Sequence, residues 1–189
     1  MKYSTRDKIL DAVYKLVYIN GYNGTSIDMI LKECAIPKGS LYHYFKSKKE
    51  MVLAVVKERI APKMYEFYDL KKVKEENSID TMIRAILKVS KKEELVKFGC
   101  PLNRLNQEMS PVDDDFDKAI NLIYERMKSD ILSVLKDSSI KPDVDMDSLA
   151  EFIIATVWGS LSLSPKHSSK KRYLNTINHL IDYLKSLKN

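Results

Sequence analysis

Residues 25–50, TSIDMILKECAIPKGSLYHYFKSKKE, decide the fold. Ile27, Ile30 and Leu31 recur at helical spacing, and the pattern breaks at Ala35-Ile36-Pro37. After the break, Leu41 and Phe45 supply inward anchors, again at helical spacing, while Lys38, Ser40, Tyr42, His43 and Tyr44 lie between and around them. This second segment is too short to fold alone, so its neighbours must hold it. Basic, hydroxyl and aromatic side chains on a short exposed helix are what a phosphate-lined groove takes. The stretch predicts a helix-turn-helix whose second helix is the reader of double-stranded DNA.

The flanking residues sharpen this. Thr25 or Ser26 can N-cap the first helix and leave its free N–H groups near a phosphate. Pro37 suits a helix start, where a missing N–H costs little. Gly39 has no side chain and lets the helix sit close to DNA. Ser47-Lys48-Lys49-Glu50 fits a capping box that opens a third helix. With Lys46 and Lys48 beside it, that helix start is a second phosphate site.

These residues closely resemble the N-terminal DNA-binding domain of TetR-family transcriptional regulators. The family pattern of Thr, an aliphatic, Ile-Ala, Gly-Val and Lys-Gly-Ser/Thr-Leu-Tyr-x-Tyr-Phe-x-x-Lys-x-x-Leu appears as Thr25-Ser26-Ile27, Ile30-Leu31, Ala35-Ile36 and Lys38-Gly39-Ser40-Leu41-Tyr42-His43-Tyr44-Phe45, with Lys48 and Val52. Leu31 replaces a small residue, Ala35 the usual turn glycine and Val52 a leucine. A left-handed turn residue would cost Ala35 more than a glycine. The resemblance implies an all-α fold: an N-terminal three-helix helix-turn-helix domain over 1–48, and a larger C-terminal helical domain over 49–189 for ligand binding and dimerisation. It implies DNA contacts at Thr25, Lys38, Gly39, Ser40, Tyr42, His43, Tyr44, Lys46 and Lys48.

Composition agrees. The chain has 189 residues, 44% hydrophobic and 31% charged, enough for a core and a solvated surface. Of the net charge of +6, residues 1–50 carry +4, from nine Lys/Arg against five Asp/Glu. Positive charge is thus concentrated on the expected DNA-facing segment. Cys34 and Cys100 match no metal spacing, which points to reduced thiols and a cytoplasmic protein without cofactor or metal. The N-terminus is interrupted by Asp7 and Asp11 and is not a signal peptide, and no apolar run suits a membrane span.

Helical periodicity runs throughout, without strand alternation or repeats. Helices are expected from Asp7 to Asn20; from Ser47 to about Lys74, kinked at Pro62; from Ser78, as a cap, to the break at Phe98-Gly99-Cys100-Pro101; and through Leu102, Leu105 and Met109. Others run from Val112 to about Asp137, from Asp147 to about Leu163 and from Lys170 to Leu187.

The last helix carries an apolar stripe, Leu174, Ile177, Leu180, Ile181, Leu184 and Leu187. The helix before it is apolar around most of its circumference, and Ala155, Gly159 and Ser160 permit close approach. Such a helix needs two covers, and a symmetry mate can supply one. The family pairs through its last two long helices. The resemblance therefore implies a homodimer whose interface includes Ala155, Gly159, Leu174, Ile177, Leu180, Ile181 and Leu184.

It also implies a mostly apolar pocket for a small-molecule inducer, walled by Met82, Ile86, Phe98, Cys100, Leu102, Tyr124, Met127, Phe152, Thr156 and Trp158. Each of these alone reads as core packing, and only the set reads as a pocket. Phe98-Gly99-Cys100-Pro101-Leu102, with Leu105 and Gln107-Glu108-Met109, resembles a segment of a subset of the family that senses electrophiles or oxidants through a cysteine. Cys100 before a helix, with Lys97 nearby, fits a reactive thiol; a small buried packing residue is the competing reading. Cys34 reads as packing.

An enzyme is not indicated. His43, His167 and His179 are scattered, and no Ser-His-Asp order, phosphate loop or H-E-x-x-H occurs. Asp113-Asp114-Asp115 with Asp117 lacks the spacing of a calcium loop and suits a helix start. A helical scaffold protein that kept the fold without DNA binding is the alternative, but it would not need the basic and aromatic reader set. The sequence is expected to encode a ligand-responsive repressor that binds a palindromic operator as a homodimer and releases it on inducer binding.

Overall fold

The computed structural model describes residues 4–68, 70, 77–136, 140–163 and 169–188, with backbone alone at 67, 68 and 169. It is all-helical. In chain order the helices are α1 (Thr5–Asn20), α2 (Ile27–Cys34), α3 (Lys38–Tyr44), α4 (Lys48–Val55), a π-helical turn (Val56–Ile60), α5 (Ala61–Tyr68), α6 (Ser78–Val89), α7 (Glu93–Phe98), α8 (Pro101–Met109), α9 (Asp114–Leu135), α10 (Met146–Ser162) and α11 (Ser169–Ser186). None among the described residues is long and apolar enough to cross a membrane.

The chain forms two compact units, one of Met1–Lys63 with Pro101–Ile123, the other of Met64–Cys100 with Tyr124–Asn189. These are units of packing. The division expected at 48/49 is one of function.

The first unit is built on α1. Ser4 caps it: its hydroxyl accepts from the Asp7 N–H at 3.1 Å, and the Asp7 carboxylate accepts from the Ser4 N–H at 3.3 Å. Ile9, Leu10, Val13 and Val17 are buried on one face, with α2 and α4 against it. Ion pairs tie the same helix to the π-helical turn. Arg6 forks onto Glu58 at 2.6 and 2.7 Å, and Arg59 holds Asp7 at 2.8 Å and Asp11 at 2.6 Å.

A helix opens after Ser47, but it does not run on as a plain α-helix to the expected kink at Pro62. The chain instead widens into the π-turn, where the Ala61 N–H donates to the Val56 carbonyl five residues back. Buried residues run Met51, Val52, Val55, Val56, Ile60, Ala61 and Met64. A plain α-helix would turn Arg59 inward after Val55; the wider turn brings Ile60 there and leaves Arg59 to its carboxylates. The expected continuation to Lys74 falls outside the described residues.

In the second unit α11 packs on α6, α7 and α10. Tyr173 is fully buried, and its hydroxyl donates to the Ile86 carbonyl at 2.8 Å. Ile86 is in the last turn of α6, where carbonyls lack intrahelical partners, so the phenol serves as a cap from another helix. Burial pushes that phenol well above its ordinary value. Asn77, rather than Ser78, caps α6: its side chain accepts from the Asp80 N–H at 2.9 Å. The Ser78 hydroxyl is buried and donates to the Val134 carbonyl. The helix expected to run to Phe98 is two helices, α6 and α7, and Gly99 ends α7 at φ 86. Likewise α9 starts at Asp114, not Val112, because the Asp113 carboxylate accepts from the N–H groups of Asp115 and Phe116.

Candidate nucleic-acid interface

The turn between α2 and α3 is the point where the sequence departs from its family pattern. Ser26, not Thr25, caps α2, accepting from the Met29 N–H at 3.2 Å. The helix ends at Ala35, which adopts φ 50, ψ 47, the left-handed conformation that glycine usually takes. For alanine this costs about 1–2 kcal/mol. The turn therefore keeps the geometry of the pattern despite the missing glycine. Pro37 follows as the N-cap of α3, one residue earlier than a first helical position.

Two anchors hold α3. Leu41 is fully buried and Phe45 nearly so, with the Arg6 guanidinium 5.2 Å from the centre of the Phe45 ring. The rest of the helix faces outward: Lys38, Gly39, His43 and Lys46 are exposed, and Tyr42 and Tyr44 retain 41% and 39% of their surface. Ser40 is half-buried at the edge. The rings of His43 and Tyr44 meet edge-on at 5.2 Å. Lys38 and Lys46 form no ion pair among the described residues, so both ammonium groups are available to an anion.

Gly39 carries a specific message. A methyl group there would meet nothing within 4 Å, and its φ is ordinary. Nothing inside the chain requires a glycine, which costs about 1 kcal/mol relative to alanine in a helix. Without a side chain, the outward backbone at this point is open to close approach from outside the chain.

Two expected contacts prove internal. Thr25 is fully buried and its hydroxyl donates to the Gly21 carbonyl at 2.8 Å. Lys48 is half-buried; its ammonium donates to the carbonyls of Tyr22 at 3.0 Å and Thr25 at 3.1 Å and lies 4.2 Å from the centre of the Tyr22 ring. Both side chains fix the segment before α2. The capping box at Ser47 is also displaced: Ser47 accepts from the Glu50 N–H at 3.1 Å, but the Glu50 carboxylate reaches one residue further back, to the Lys46 N–H at 2.7 Å. Lys49 is taken up by Asp113 and Asp115, both at 2.7 Å, which raise its pKa.

The expected ligand wall is only partly brought together. Met82 and Ile86 line a cavity of about 10 Å³ with Leu70, Ala85, Val89, Ile153 and Val157. The α10 residues on it are thus Ile153 and Val157, each one position from the expected Phe152, Thr156 and Trp158, because one residue rotates a helix by about 100°. Phe152 is instead 47% exposed, edge-on to Tyr183 at 5.6 Å. Thr156 and Trp158 are half-buried, and the Trp158 ring meets Tyr124 at 5.9 Å. Met127 is buried, Phe98 half-buried, and Leu102 belongs to the core of the first unit. Cys100 keeps only 6% of its surface, so the thiol is not the accessible one a reactive sensor predicts. Cys34 is fully buried, and burial raises its thiol pKa.

The expected dimer residues divide in two. Ala155 and Gly159 are exposed on α10, and a methyl added at Gly159 would meet nothing within 4 Å. Ile177, Leu180, Ile181 and Leu184 are buried within the single chain, and Leu174 is half-buried. The α11 stripe is therefore this chain's own core. Phe152, Leu163 and Tyr183 are exposed apolar residues that sequence periodicity did not single out for an interface.

A family model described as bacterial regulatory proteins, tetR family, matches residues 9–55, the segment from α1 through α4. An uncharacterized HTH-type transcriptional regulator in the lacX 3'region of Lactococcus lactis subsp. lactis is 33% identical over 167 residues, 85% of this chain and 83% of that one. The transcriptional regulator AcuR of Cereibacter sphaeroides is 29% identical over 143 residues, 69% of this chain and 63% of that one. In three dimensions, a TetR transcriptional regulator from Chloroflexus aurantiacus J-10-FL superposes with a TM-score of 0.83 at 24% identity, covering 97% of this chain and 96% of the other. The reduced form of Escherichia coli NemR gives 0.78 at 20% identity, over 98% of both. With its helix-turn-helix segment matched by the family model and a relative matched along most of both chains, this protein belongs to the TetR family, all-helical DNA-binding transcriptional regulators that are not enzymes.

Proposed function

We propose that the protein is a cytoplasmic homodimeric repressor that reads a palindromic operator through residues 1–48 and releases it when residues 49–189 take up a small apolar inducer. The observation that carries the DNA part is the outward face of α3, where a glycine with no internal reason stands among exposed Lys38, Tyr42, His43 and Tyr44. Lys38, Ser40 and His43 are the residues for base edges; Tyr42, Tyr44 and Lys46 are those for phosphates. Thr25 and Lys48 support this face from within.

Two copies would pair through the exposed stripe of Phe152, Ala155, Gly159 and Leu163, with Tyr183 beside it. Small residues at Ala155 and Gly159 favour close helix approach, and the aromatic pair supplies area at its edge. Two-fold symmetry then imposes two half-sites on the DNA. For the inducer, the 10 Å³ cavity between α6 and α10 is far below the ~300 Å³ of a ligand pocket. Binding would have to open it, and a ligand that prefers the open form draws the free energy of DNA release from that preference.

Selection of duplexes from a random pool tests the first part and should return a pseudo-palindrome. Lys38→Ala should alter preference at one half-site position, and Lys46→Ala should weaken all sequences alike and lower the salt slope by about one unit. Phe152→Asp, on the exposed face, should give a folded monomer by sedimentation. An asymmetric single half-site bound by a monomer would reject the dimeric reader.

A further inference from the structure

The five residues between α1 and the α2 cap, Gly21 to Thr25, are gripped by two opposite charges. The Glu108 carboxylate, at the end of α8, accepts from the Tyr22 N–H at 2.7 Å with one oxygen and from the Asn23 N–H at 2.8 Å with the other. The Lys48 ammonium takes the carbonyls of Tyr22 and Thr25. The Tyr22 ring lies beneath that ammonium and meets the Phe116 ring edge-on at 5.4 Å. Thus a carboxylate holds the donors of the segment and an ammonium holds its acceptors.

The segment is shaped to receive the carboxylate. Gly21 has φ 82, and a methyl on it would lie 2.7 Å from a Glu108 oxygen. Gly24 has no room for one either, because the Asn20 carbonyl occupies the space. Charge-assisted bonds from one carboxylate to two successive backbone N–H groups are strong and directional. They fix the peptide planes at Tyr22 and Asn23, a few residues before Ser26, which caps α2. From that cap α2 leads through the turn at Ala35 to α3, so the anchor lies just upstream of the helix-turn-helix.

We propose that Glu108, 85 residues along the chain from Asn23, is a positioning residue for sequence-specific DNA reading, acting through the Tyr22 and Asn23 backbone. The proposal rests on the reading of α3 as the DNA reader. Glu108 touches no DNA in it; it decides how closely the reader's geometry matches base edges. Non-specific binding depends on phosphates and tolerates a looser head, so the two kinds of binding respond differently.

The experiment uses the full chain and two probes: the duplex enriched by the wild-type protein from a random pool, and a random-sequence duplex. Glu108→Ala should speed hydrogen exchange at the Tyr22 and Asn23 amides and weaken binding to the enriched duplex roughly tenfold. Binding to the random duplex and its salt slope should stay at wild-type values. Glu108→Gln keeps one acceptor oxygen and the same shape, so it should lose less and restore protection at one amide; it also serves if the alanine variant does not fold. Wild-type affinity for the enriched duplex with both amides exchanging fast would overturn the proposal. Equal losses on both duplexes would also overturn it, by marking Glu108 as a general stabiliser. If the wild-type protein enriches no duplex, the reader itself fails and this proposal falls with it.

Discussion

Gly39→Ala separates stability from DNA binding at a single atom. Gly39 is the second residue of α3, with ordinary φ and open space where a methyl would go. In a helix, alanine is favoured over glycine by about 1 kcal/mol, less near a helix end, so a gain of roughly 0.5–1 kcal/mol is expected. For a chain of this size that raises Tm by about 1–4 °C. The same methyl projects from the outward face, between Lys38 and Ser40, where DNA would approach. Pushing the backbone off the groove should weaken binding to the selected operator about tenfold, equivalent to ~1.4 kcal/mol. Thermal unfolding and an equilibrium shift assay on the same preparation give both numbers. A variant that is more stable and binds as well as wild type would refute the reasoning, because the glycine would then have no external partner. A destabilised variant would refute the local geometry instead.

Ala35→Gly should stabilise the chain by about 0.5–1 kcal/mol in urea unfolding, by relieving the left-handed alanine against the added freedom of an unfolded glycine. A loss of stability would show that the turn is not left-handed in solution. Acid should loosen α1 in a defined window. The Ser4 hydroxyl, then Arg59, hold the Asp7 carboxyl at about 2, below its ordinary 3.8, and the Arg6 guanidinium lowers that of Glu58. A depressed carboxylate stabilises the fold above its ordinary value, and that contribution fades as pH falls through the depressed one. Urea midpoints should therefore drop between pH 3.8 and about 2, and Asp7→Asn should flatten the drop; an unchanged slope would mean that Asp7 is unpaired in solution.

Helix α3 and its two faces were legible because their signals are local. Leu41 and Phe45 at helical spacing fixed which face turns in, and Gly39 and the basic and aromatic residues followed. Ala35 announced its cost before its dihedrals were known. The anchor at Glu108 was not legible, since nothing in local spacing links it to Tyr22. Nor did periodicity tell whose core a stripe belongs to: Leu180 and Ile181 show the same pattern whether they face a partner or their own α6, and they are buried within the chain. On α10 an apolar circumference left the choice between Phe152 and Ile153 to packing. Only the second lines the cavity.

The π-turn at Val56–Ile60 has a consequence for how this chain can change in length. One extra residue there shifts the buried stripe from Val55 and Val56 to Ile60 and Ala61, five positions on. Deleting exposed Lys57 would bring these residues to four positions apart, the repeat of a plain α-helix, with the same side facing in. A deletion inside α4 or α1 would instead rotate everything beyond it by about 100° and carry apolar residues into water. Gaps of one residue among relatives should therefore be tolerated between Val55 and Ile60 and rejected on either side, which makes the wide turn the elastic point of the N-terminal half.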